Sequence, residues 1–205
     1  MNSLGFNKKE KDTKLIVAMS GGVDSSVAAV KLKKEGYDVI GVTLRLYNQP
    51  NSVKSKSCCA GIDIDDAKKV AKQYDFPHKV FDYQDKFFNG VINNFVDSYA
   101  NGETPVPCIQ CNQTVKFSDL LEESKNLNAD ALVTGHYAIR QGGLKDSKLY
   151  KAKDKSKDQS YFLFATLQDQ LDYVRFPLGN YLKSEIRQMA DDYKLDVSDK
   201  PDSQD

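Results

Sequence analysis

The chain lacks an excess of charge, a long apolar run and a dense set of cysteines. Its 29 basic and 29 acidic residues balance, so contact with a nucleic acid must depend on a local basic patch. No apolar run approaches the roughly 18 residues of a membrane helix, and residues 1–14 are polar, without the apolar region of a signal peptide. These absences predict a soluble, cytoplasmic protein with no membrane partner.

The four cysteines form two close pairs, Cys58-Cys59 and Cys108-x-x-Cys111. In a chain without an export signal, such pairs favour reactive or metal-binding thiols over a structural disulfide framework. With 205 residues, 40% of them hydrophobic, the chain can bury one sizeable core and the start of a second unit.

The most informative segment joins an apolar run, residues 15–19, to Ser20-Gly21-Gly22-Val23-Asp24-Ser25-Ser26. This order indicates a strand, a glycine-rich turn and a helix over residues 25–35. Glycine lets the backbone approach a ligand closely, and a helix N-terminus attracts an anion. No lysine follows the glycines, so the segment is not a Walker A loop. A plain strand-to-helix turn is the alternative, but the full motif favours a loop that binds nucleotide phosphates.

Apolar and helical patterns alternate along the rest of the chain. Further strands are predicted at residues 38–44, 78–81 and 131–134, and helices at residues 63–74 (with Asp63 as N-cap), 86–99 and 117–127. The alternation predicts an α/β fold with a doubly wound parallel sheet. Ligands bind at the carboxyl ends of the strands in such sheets, where the Ser20 loop, Leu44 and Gly135 fall.

The character of the sequence changes after Arg140. Gln141-Gly142-Gly143 indicates a turn between two short strands, and helices are predicted at residues 160–166 and 182–193. We therefore predict a core domain over residues 1–140. Residues 141–205 are interpreted as an extension of that core and the start of a linking region.

Cys111 stands in a context that favours chemistry. Two prolines stiffen the preceding loop, Pro105-Val106-Pro107-Cys108, and Cys111 is predicted to lie at the start of the next helix. The helix dipole there would lower the pKa of the thiol, and Lys116 can add to the effect. A catalytic nucleophile is favoured. The alternatives are a buried apolar residue, or a zinc or iron–sulfur site shared with Cys108 and the Cys58-Cys59 pair.

The motif Ser-Gly-Gly-x-Asp-Ser resembles the PP-loop of the N-type ATP pyrophosphatases, which have an adenine nucleotide alpha hydrolase-like fold. The resemblance implies that ATP is split between its α and β phosphates. It also implies Mg²⁺, which screens phosphate charge and polarises phosphorus. Asp24 can then organise the metal or cap the helix, and the sequence does not decide between these roles.

The segment Cys111-Asn112-Gln113-Thr114-Val115-Lys116-Phe117 resembles the tRNA-specific 2-thiouridylases. The likeness extends over nearly the whole chain in further motifs: Ser57-Cys58-Cys59, Thr134-Gly135-His136-Tyr137-Ala138, Lys157-Asp158-Gln159-Ser160-Tyr161, Leu178-Gly179, Lys183-x-Glu185-Ile186-Arg187 and Lys200-Pro201-Asp202-Ser203-Gln204-Asp205. The motifs are long and correctly ordered, so the resemblance is specific.

The resemblance implies a role for individual residues. The residues implied to contact ATP are Ala18, Met19, Ser20, Gly21, Gly22, Val23, Asp24, Ser25 and Leu44. Gly135 is implied to lie beside the nucleotide. Val106, Pro107 and Cys108 approach the target uridine, His136 lies at the tRNA-facing rim, and Lys157, Asp158 and Gln159 meet the tRNA. Cys111 is the nucleophile. Many family members carry an aspartate where this chain has Cys108, so a proton-accepting role of that carboxylate does not transfer.

Residues 145–157 contain six lysines. A lysine run is usually a solvated face, but this one joins the motif Lys157-Asp158-Gln159. We therefore favour contact with tRNA phosphates, which would make binding depend on salt.

The implied reaction has two stages. ATP adenylates O2 of the wobble uridine, and sulfur carried as a persulfide on a second cysteine then attacks C2 and displaces AMP. The implied partners are tRNAs of the Lys, Glu and Gln type and a persulfide sulfur-donor protein. The printed sequence ends before the position of the second cysteine, of a small linking domain and of a C-terminal β-barrel. We therefore expect it to bind ATP without completing thiolation.

Three other functions remain open on sequence alone. The first is a PP-loop ligase or amidotransferase acting on a small metabolite, which has no need of Cys111. The second is an iron–sulfur-dependent tRNA thiolase. The third is a noncatalytic module that binds a nucleotide or tRNA.

Overall fold

The computed structural model describes residues 1–46 and 61–201. A short 3₁₀ turn at Glu10–Asp12 precedes an alternating series: β1 (Lys14–Ala18), α1 (Val23–Lys34), β2 (Asp38–Arg45), α2 (Gly61–Gln73) and β3 (His78–Asp82). Two longer helical segments follow, each containing a π-helical stretch. In the first, α3 (Gln84–Phe87) continues through Phe88–Ile92 into α4 (Asn93–Ala100). In the second, α5 (Pro107–Cys111) continues through Asn112–Asp119 into α6 (Leu120–Asn126).

The remaining elements complete the sheet and add a hairpin beside it. They are β4 (Ala131–Val133), the antiparallel pair β5 (Ala138–Gln141) and β6 (Lys148–Lys151), a 3₁₀ turn at Ser160–Leu163, α7 (Gln168–Tyr173), β7 (Val174–Arg175) and α8 (Lys183–Asp192). No helix in the described ranges is long and apolar enough to span a bilayer.

In the described part of the chain, the main sheet has the strand order β3-β2-β1-β4-β7, with every neighbouring pair parallel. The chain moves outward from β1 to β3 on one side and then crosses to β4 on the other side of β1. Because the connections leave β1 and β4 in opposite directions, a crevice opens between their carboxyl ends. The predicted doubly wound α/β fold is confirmed, and this crevice is where its ligand is expected.

Both faces of the sheet are covered, as alternate residues of β1 demonstrate. Leu15 and Val17 lie in a buried cluster with residues of α1, α2 and α8, whereas Ile16 lies in a second cluster on the other face. The second cluster contains apolar residues of the two π-containing helical segments. Since successive side chains of a strand point to opposite faces, β1 joins both halves of the core.

Two predicted helix starts are wrong. The helix expected from residue 117 begins at Pro107, because proline suits the first position of a helix, where its missing N–H costs nothing. Asp63 is not the N-cap of α2, which already includes Gly61, so its carboxylate lies in the first turn. The expected turn between two short strands is confirmed by the β5–β6 hairpin.

The segment after residue 140 contributes β7 to the main sheet, where it pairs with β4. Ile186 and Ala190 of α8 are fully buried in the cluster that also contains Val27 of α1. The proposed division at residue 140 stays a prediction.

Candidate nucleotide and tRNA site

The loop between β1 and α1 has a backbone shape that glycine alone suits. Gly21 has a φ of +77°, in the left-handed region, and a Cβ there would lie 2.1 Å from the carbonyl oxygen of Asp63. Gly22 is the N-cap of α1 and has no side chain to block the helix end. The loop therefore presents backbone N–H groups and the positive end of a helix dipole at the carboxyl end of β1.

The serines of the loop stabilise its turn. Ser25 Oγ accepts a hydrogen bond from the N–H of Ser20 at 3.1 Å and donates one to the carbonyl oxygen of Gly22 at 3.3 Å. Ser26, the last residue of the motif, faces the interior. Its side chain is completely buried, and its Oγ has no hydrogen-bond partner among the described residues. Ser20 is partly exposed, whereas Ser25 and Ser26 are buried.

Gly135 brings the end of β4 against the start of α1. A Cβ on Gly135 would lie 3.0 Å from the backbone nitrogen of Ser25 and 3.2 Å from the carbonyl carbon of Asp24. The absence of a side chain lets the two segments that flank the crevice approach closely. Two predicted nucleotide-binding segments therefore meet at the point where the strand order reverses.

The other residues predicted to contact ATP lie at the same end of the sheet. Met19 extends the β1 ladder through a 2.8 Å hydrogen bond from its N–H to the carbonyl oxygen of Val42. Leu44 is in the last part of β2 and belongs to the buried cluster that contains Cys111. Ala18 packs against this cluster, while Val23 opens α1 in the opposite one.

Asp24 forms an ion pair with a lysine of α8. Lys183 Nζ, from the first residue of α8, lies 2.7 Å from each carboxylate oxygen, and the hydroxyl of Tyr137 donates to Oδ1 at 2.7 Å. The side chains of Lys183 and Asp24 are 12% and 31% exposed. Asp24 lies in the first turn of α1 and does not cap it through its side chain.

The cysteine segment lies on the other face of the sheet. Cys111 is 8% exposed and packs in the cluster with Val115, Phe117 and Leu163. It is the fifth residue of its helix, whereas the partly buried Cys108 lies in the first turn. The prediction that Cys111 starts the helix is therefore wrong. Because the effect of the helix dipole falls off within the first turn, the dipole acts on Cys108 more than on Cys111.

Val106 and Pro107 border a cavity of about 280 Å³. Across it lie α4 and the π-helical stretch before it, through Val91 and Phe95. Val106 is 47% exposed. Two of the three residues predicted to approach the target uridine therefore line one concave surface.

His136 and Gln159, both predicted to face the tRNA, make contacts within the fold. The ring of His136 lies 6.2 Å from the rings of both Phe117 and Phe176, and its Nδ1 is 2.8 Å from the hydroxyl of Thr134. Gln159 pairs with the backbone of Tyr137 through its own N–H at 2.9 Å and through its Oε1 at 3.0 Å.

The Asp158 side chain also forms hydrogen bonds within the fold. Its carboxylate accepts hydrogen bonds from the N–H of Ala152 at 2.9 Å and from the hydroxyl of Ser160 at 2.8 Å. The side chains of Asp158 and Gln159 thus order the segment, and Lys157 beside them is partly exposed.

Within the described residues, no group of three or more His, Cys, Asp or Glu side chains could hold a metal ion. The predictions on Cys58, Cys59, residues 202–205 and the Lys116 side chain fall outside the described parts of the chain.

A family model described as the tRNA methyl transferase HUP domain matches residues 13–205. The chain belongs to this family.

Curated relatives are similar over almost the entire chain. A tRNA-specific 2-thiouridylase MnmA from Rhodospirillum centenum is 56% identical over 206 residues, which cover 100% of this chain and 53% of the relative. Another, from Orientia tsutsugamushi, is 58% identical over 198 residues, covering 96% of this chain and 53% of the relative. The chain spans about half the length of the curated relatives it matches.

The fold is shared with more distant proteins. A 4-thiouridine synthetase solved in a complex with RNA and bound ATP superposes with a TM-score of 0.59 at 16% identity, covering 93% of this chain and 43% of that one. At this identity the likeness concerns the fold alone.

Sequence reasoning about this HUP domain missed two residues of the crevice. Lys183 and Tyr137 were noted only as parts of family motifs, yet they form the direct contacts of Asp24. Their separation from Asp24 by 159 and 113 residues leaves no local pattern that could have revealed the contact.

Proposed function

We propose that this chain binds ATP in the crevice between β1 and β4, as part of a protein that 2-thiolates the wobble uridine of tRNA. The observation that carries the proposal is the loop at Gly21, whose shape excludes any side chain and which lies at the switch point of the sheet. The names of the relatives, tRNA-specific 2-thiouridylase, supply the proposed reaction.

The loop and α1 would bind the phosphates. Backbone N–H groups at the start of a 12-residue helix suit an anion without a charged side chain. The proposed chemistry is attack of uridine O2 on the α-phosphorus, which releases pyrophosphate and leaves AMP on O2. Stabilising the charge that develops on the leaving pyrophosphate is a role for fixed N–H donors.

Mg²⁺ fits this site as an ion that arrives with the phosphates. Mg²⁺ bound to a nucleotide commonly uses one or two carboxylates together with phosphate oxygens, and Asp24 supplies one carboxylate beside the loop. Lys183 would have to release part of its contact with Asp24 for the metal to bind there. Bound in this way, Mg²⁺ would screen phosphate charge and polarise the reacting phosphorus.

Cys111 is proposed as the nucleophile of the sulfur-transfer stage. In that stage, the terminal sulfur of a protein persulfide attacks C2 of the adenylated uridine and AMP leaves. Cys111 would then attack the sulfur of the carrier cysteine, which breaks its bond to the transferred sulfur, leaves that sulfur on C2 as the thiocarbonyl and joins the two cysteines in a disulfide. The cavity beside Val106 and Pro107 supports a target-base site near Cys108.

The tRNA contacts are assigned to the rim. His136 and residues 157–159 border the crevice through Tyr137, and the six lysines of residues 145–157 supply positive charge. We propose tRNAs of the Lys, Glu and Gln type as substrates, a persulfide protein as sulfur donor, and a cytoplasmic location.

Pyrophosphate release from ATP tests the proposal. The purified chain is mixed with a tRNA transcript carrying uridine at the wobble position, or with the same transcript carrying cytidine there. We expect release with uridine only, and we expect Cys111→Ser to leave it unchanged because the thiol acts after adenylation.

Other outcomes favour other functions. Release without tRNA would indicate a ligase of small metabolites, and ATP binding without release would indicate a noncatalytic module. Iron found by metal analysis of anaerobically purified protein would favour the iron–sulfur thiolase.

A further inference from the structure

Lys200 connects three parts of the chain that are remote in sequence. Its Nζ lies 3.0 Å from the carbonyl oxygen of Gly21, 3.0 Å from Oδ1 of Asp63 and 2.6 Å from Oδ2 of Asp66. An ammonium group has three N–H donors, and these three oxygens can accept one each. A residue that follows α8 therefore links the first turns of α2 to residues 19–22, the proposed phosphate loop.

The contact lies where the loop is most tightly packed. A Cβ on Gly21 would be 2.1 Å from the carbonyl oxygen of Asp63 and 2.6 Å from its Cα. The loop thus rests directly on the backbone of α2, and a displacement of α2 would displace Gly21. Lys200 bonds to both sides of this contact.

The bond to Gly21 also orients the next amide. A trans peptide is planar, with its C=O and N–H pointing in opposite directions. When the Gly21 carbonyl accepts a hydrogen bond from Lys200, the N–H of Gly22 in the same peptide points away from Lys200. Gly22 is the N-cap of α1, so this N–H belongs to the group of donors available to an anion.

Lys200 also offsets negative charge beside the loop. Its side chain is 27% exposed and that of Asp66 is 13% exposed, so salt screens their attraction only partly. Burial alone would lower the pKa of Lys200, but its hydrogen bonds to Asp66 and Asp63 outweigh this effect and raise the pKa. The ammonium therefore stays charged at neutral pH, where unpaired carboxylates would repel a polyphosphate.

We propose that Lys200 is a positioning residue of the phosphate loop, which fastens Gly21 to α2 and directs the Gly22 amide toward the phosphates of the bound nucleotide. This inference rests on the proposed function, because it assumes that the loop binds ATP. It predicts a loss specific to phosphates, since Lys200 acts on the loop and not on the site of the nucleoside.

The test compares Lys200→Met with a matched control, Lys69→Met. Lys69 also pairs with Asp66, at 3.0 Å, but its side chain is 64% exposed and it bonds the other carboxylate oxygen. Calorimetry with ATP and with inorganic pyrophosphate, and ligand-detected NMR with adenosine, give the three affinities. We expect Lys200→Met to lower the affinities for ATP and pyrophosphate about tenfold and to leave the affinity for adenosine unchanged. Lys69→Met should change none of the three affinities.

The outcomes separate the two proposals. A wild-type chain that binds neither ATP nor pyrophosphate overturns the proposed function, and this inference with it. If the wild type binds both ligands and Lys200→Met binds them equally well, only the role of Lys200 is overturned. The same conclusion follows if Lys200→Met loses as much affinity for adenosine as for ATP.

If Lys200→Met is unfolded by circular dichroism, Lys200→Arg replaces it. Arginine keeps the charge but is a planar fork and not a compact ammonium, so we expect ATP affinity to fall about threefold. An unchanged ATP affinity in a folded Lys200→Arg would equally overturn the positioning role.

Discussion

The proposed phosphate loop (residues 19–22) and the cysteine segment (residues 105–117) both pack against the main sheet, but they are built in different ways. The loop consists of backbone held between β4 and α2, with close packing at Gly21 and Gly135. The cysteine segment is a helix with a π-helical stretch, whose Cys111 is buried among apolar side chains. Anion binding by backbone amides needs only a short, rigid turn, whereas the chemistry of a thiol depends on its exposure and electrostatic surroundings.

Different contacts stabilise the two regions. Residues far along the chain, Lys183 and Lys200, pair with acidic groups around the loop. Cys111 instead shares its cluster with side chains of β2, the α3–α4 segment and Leu163. The loop region is therefore sensitive to shape and charge, and the cysteine region to apolar packing.

The largest effect is expected from Gly21→Ala. The added Cβ meets the Asp63 carbonyl oxygen at 2.1 Å, and the φ of +77° is unfavourable for alanine. We expect ATP affinity, measured by calorimetry, to fall about a hundredfold or more, a loss of about 2.7 kcal/mol.

Gly5→Ala is the matched control for Gly21→Ala. Gly5 has a φ of +85° but no heavy atom within 4 Å of the Cβ position. It should carry the conformational cost without the clash and bind ATP normally. Equal effects of the two variants would argue against a packed loop.

An intermediate effect is expected in the reactivity of the two thiols. Cys108 is partly exposed in the first helical turn, while Cys111 is 8% exposed. With iodoacetamide and peptide mass spectrometry, Cys108 should be alkylated about tenfold faster than Cys111, since alkylation needs an accessible thiolate. Faster modification of Cys111 would mean that its surroundings activate it despite burial.

The smallest effect is expected from Lys183→Met. Loss of the ammonium leaves the Asp24 carboxylate beside the loop without its cation, so ATP affinity should fall about fivefold at low salt and less at high salt. Lys31→Met, which removes a cation paired with Glu35 elsewhere on α1, is the control. An effect that does not depend on ionic strength would contradict an electrostatic origin.

Much of the fold could be predicted because its signals are local. The strand at residues 15–19, the glycine turn and the following helix were recognisable from an apolar run, two adjacent glycines and helical spacing. The start of the Cys111 helix was not, because the prolines at 105 and 107 were interpreted as loop residues and one of them opens the helix. Asp63 failed as an N-cap because α2 includes the two preceding residues.

The sequence by itself determined the α/β class, the glycine turn after β1 and the family motifs, since hydrophobic periodicity and glycine placement act over a few residues. Only the tertiary structure decided that Cys111 is buried and that Lys183 and Lys200 lie at the loop. Those contacts join residues more than 150 positions apart. They arise because α8, which follows β7, packs against α1 and so brings Lys183 and the residues after α8 to the loop that follows β1.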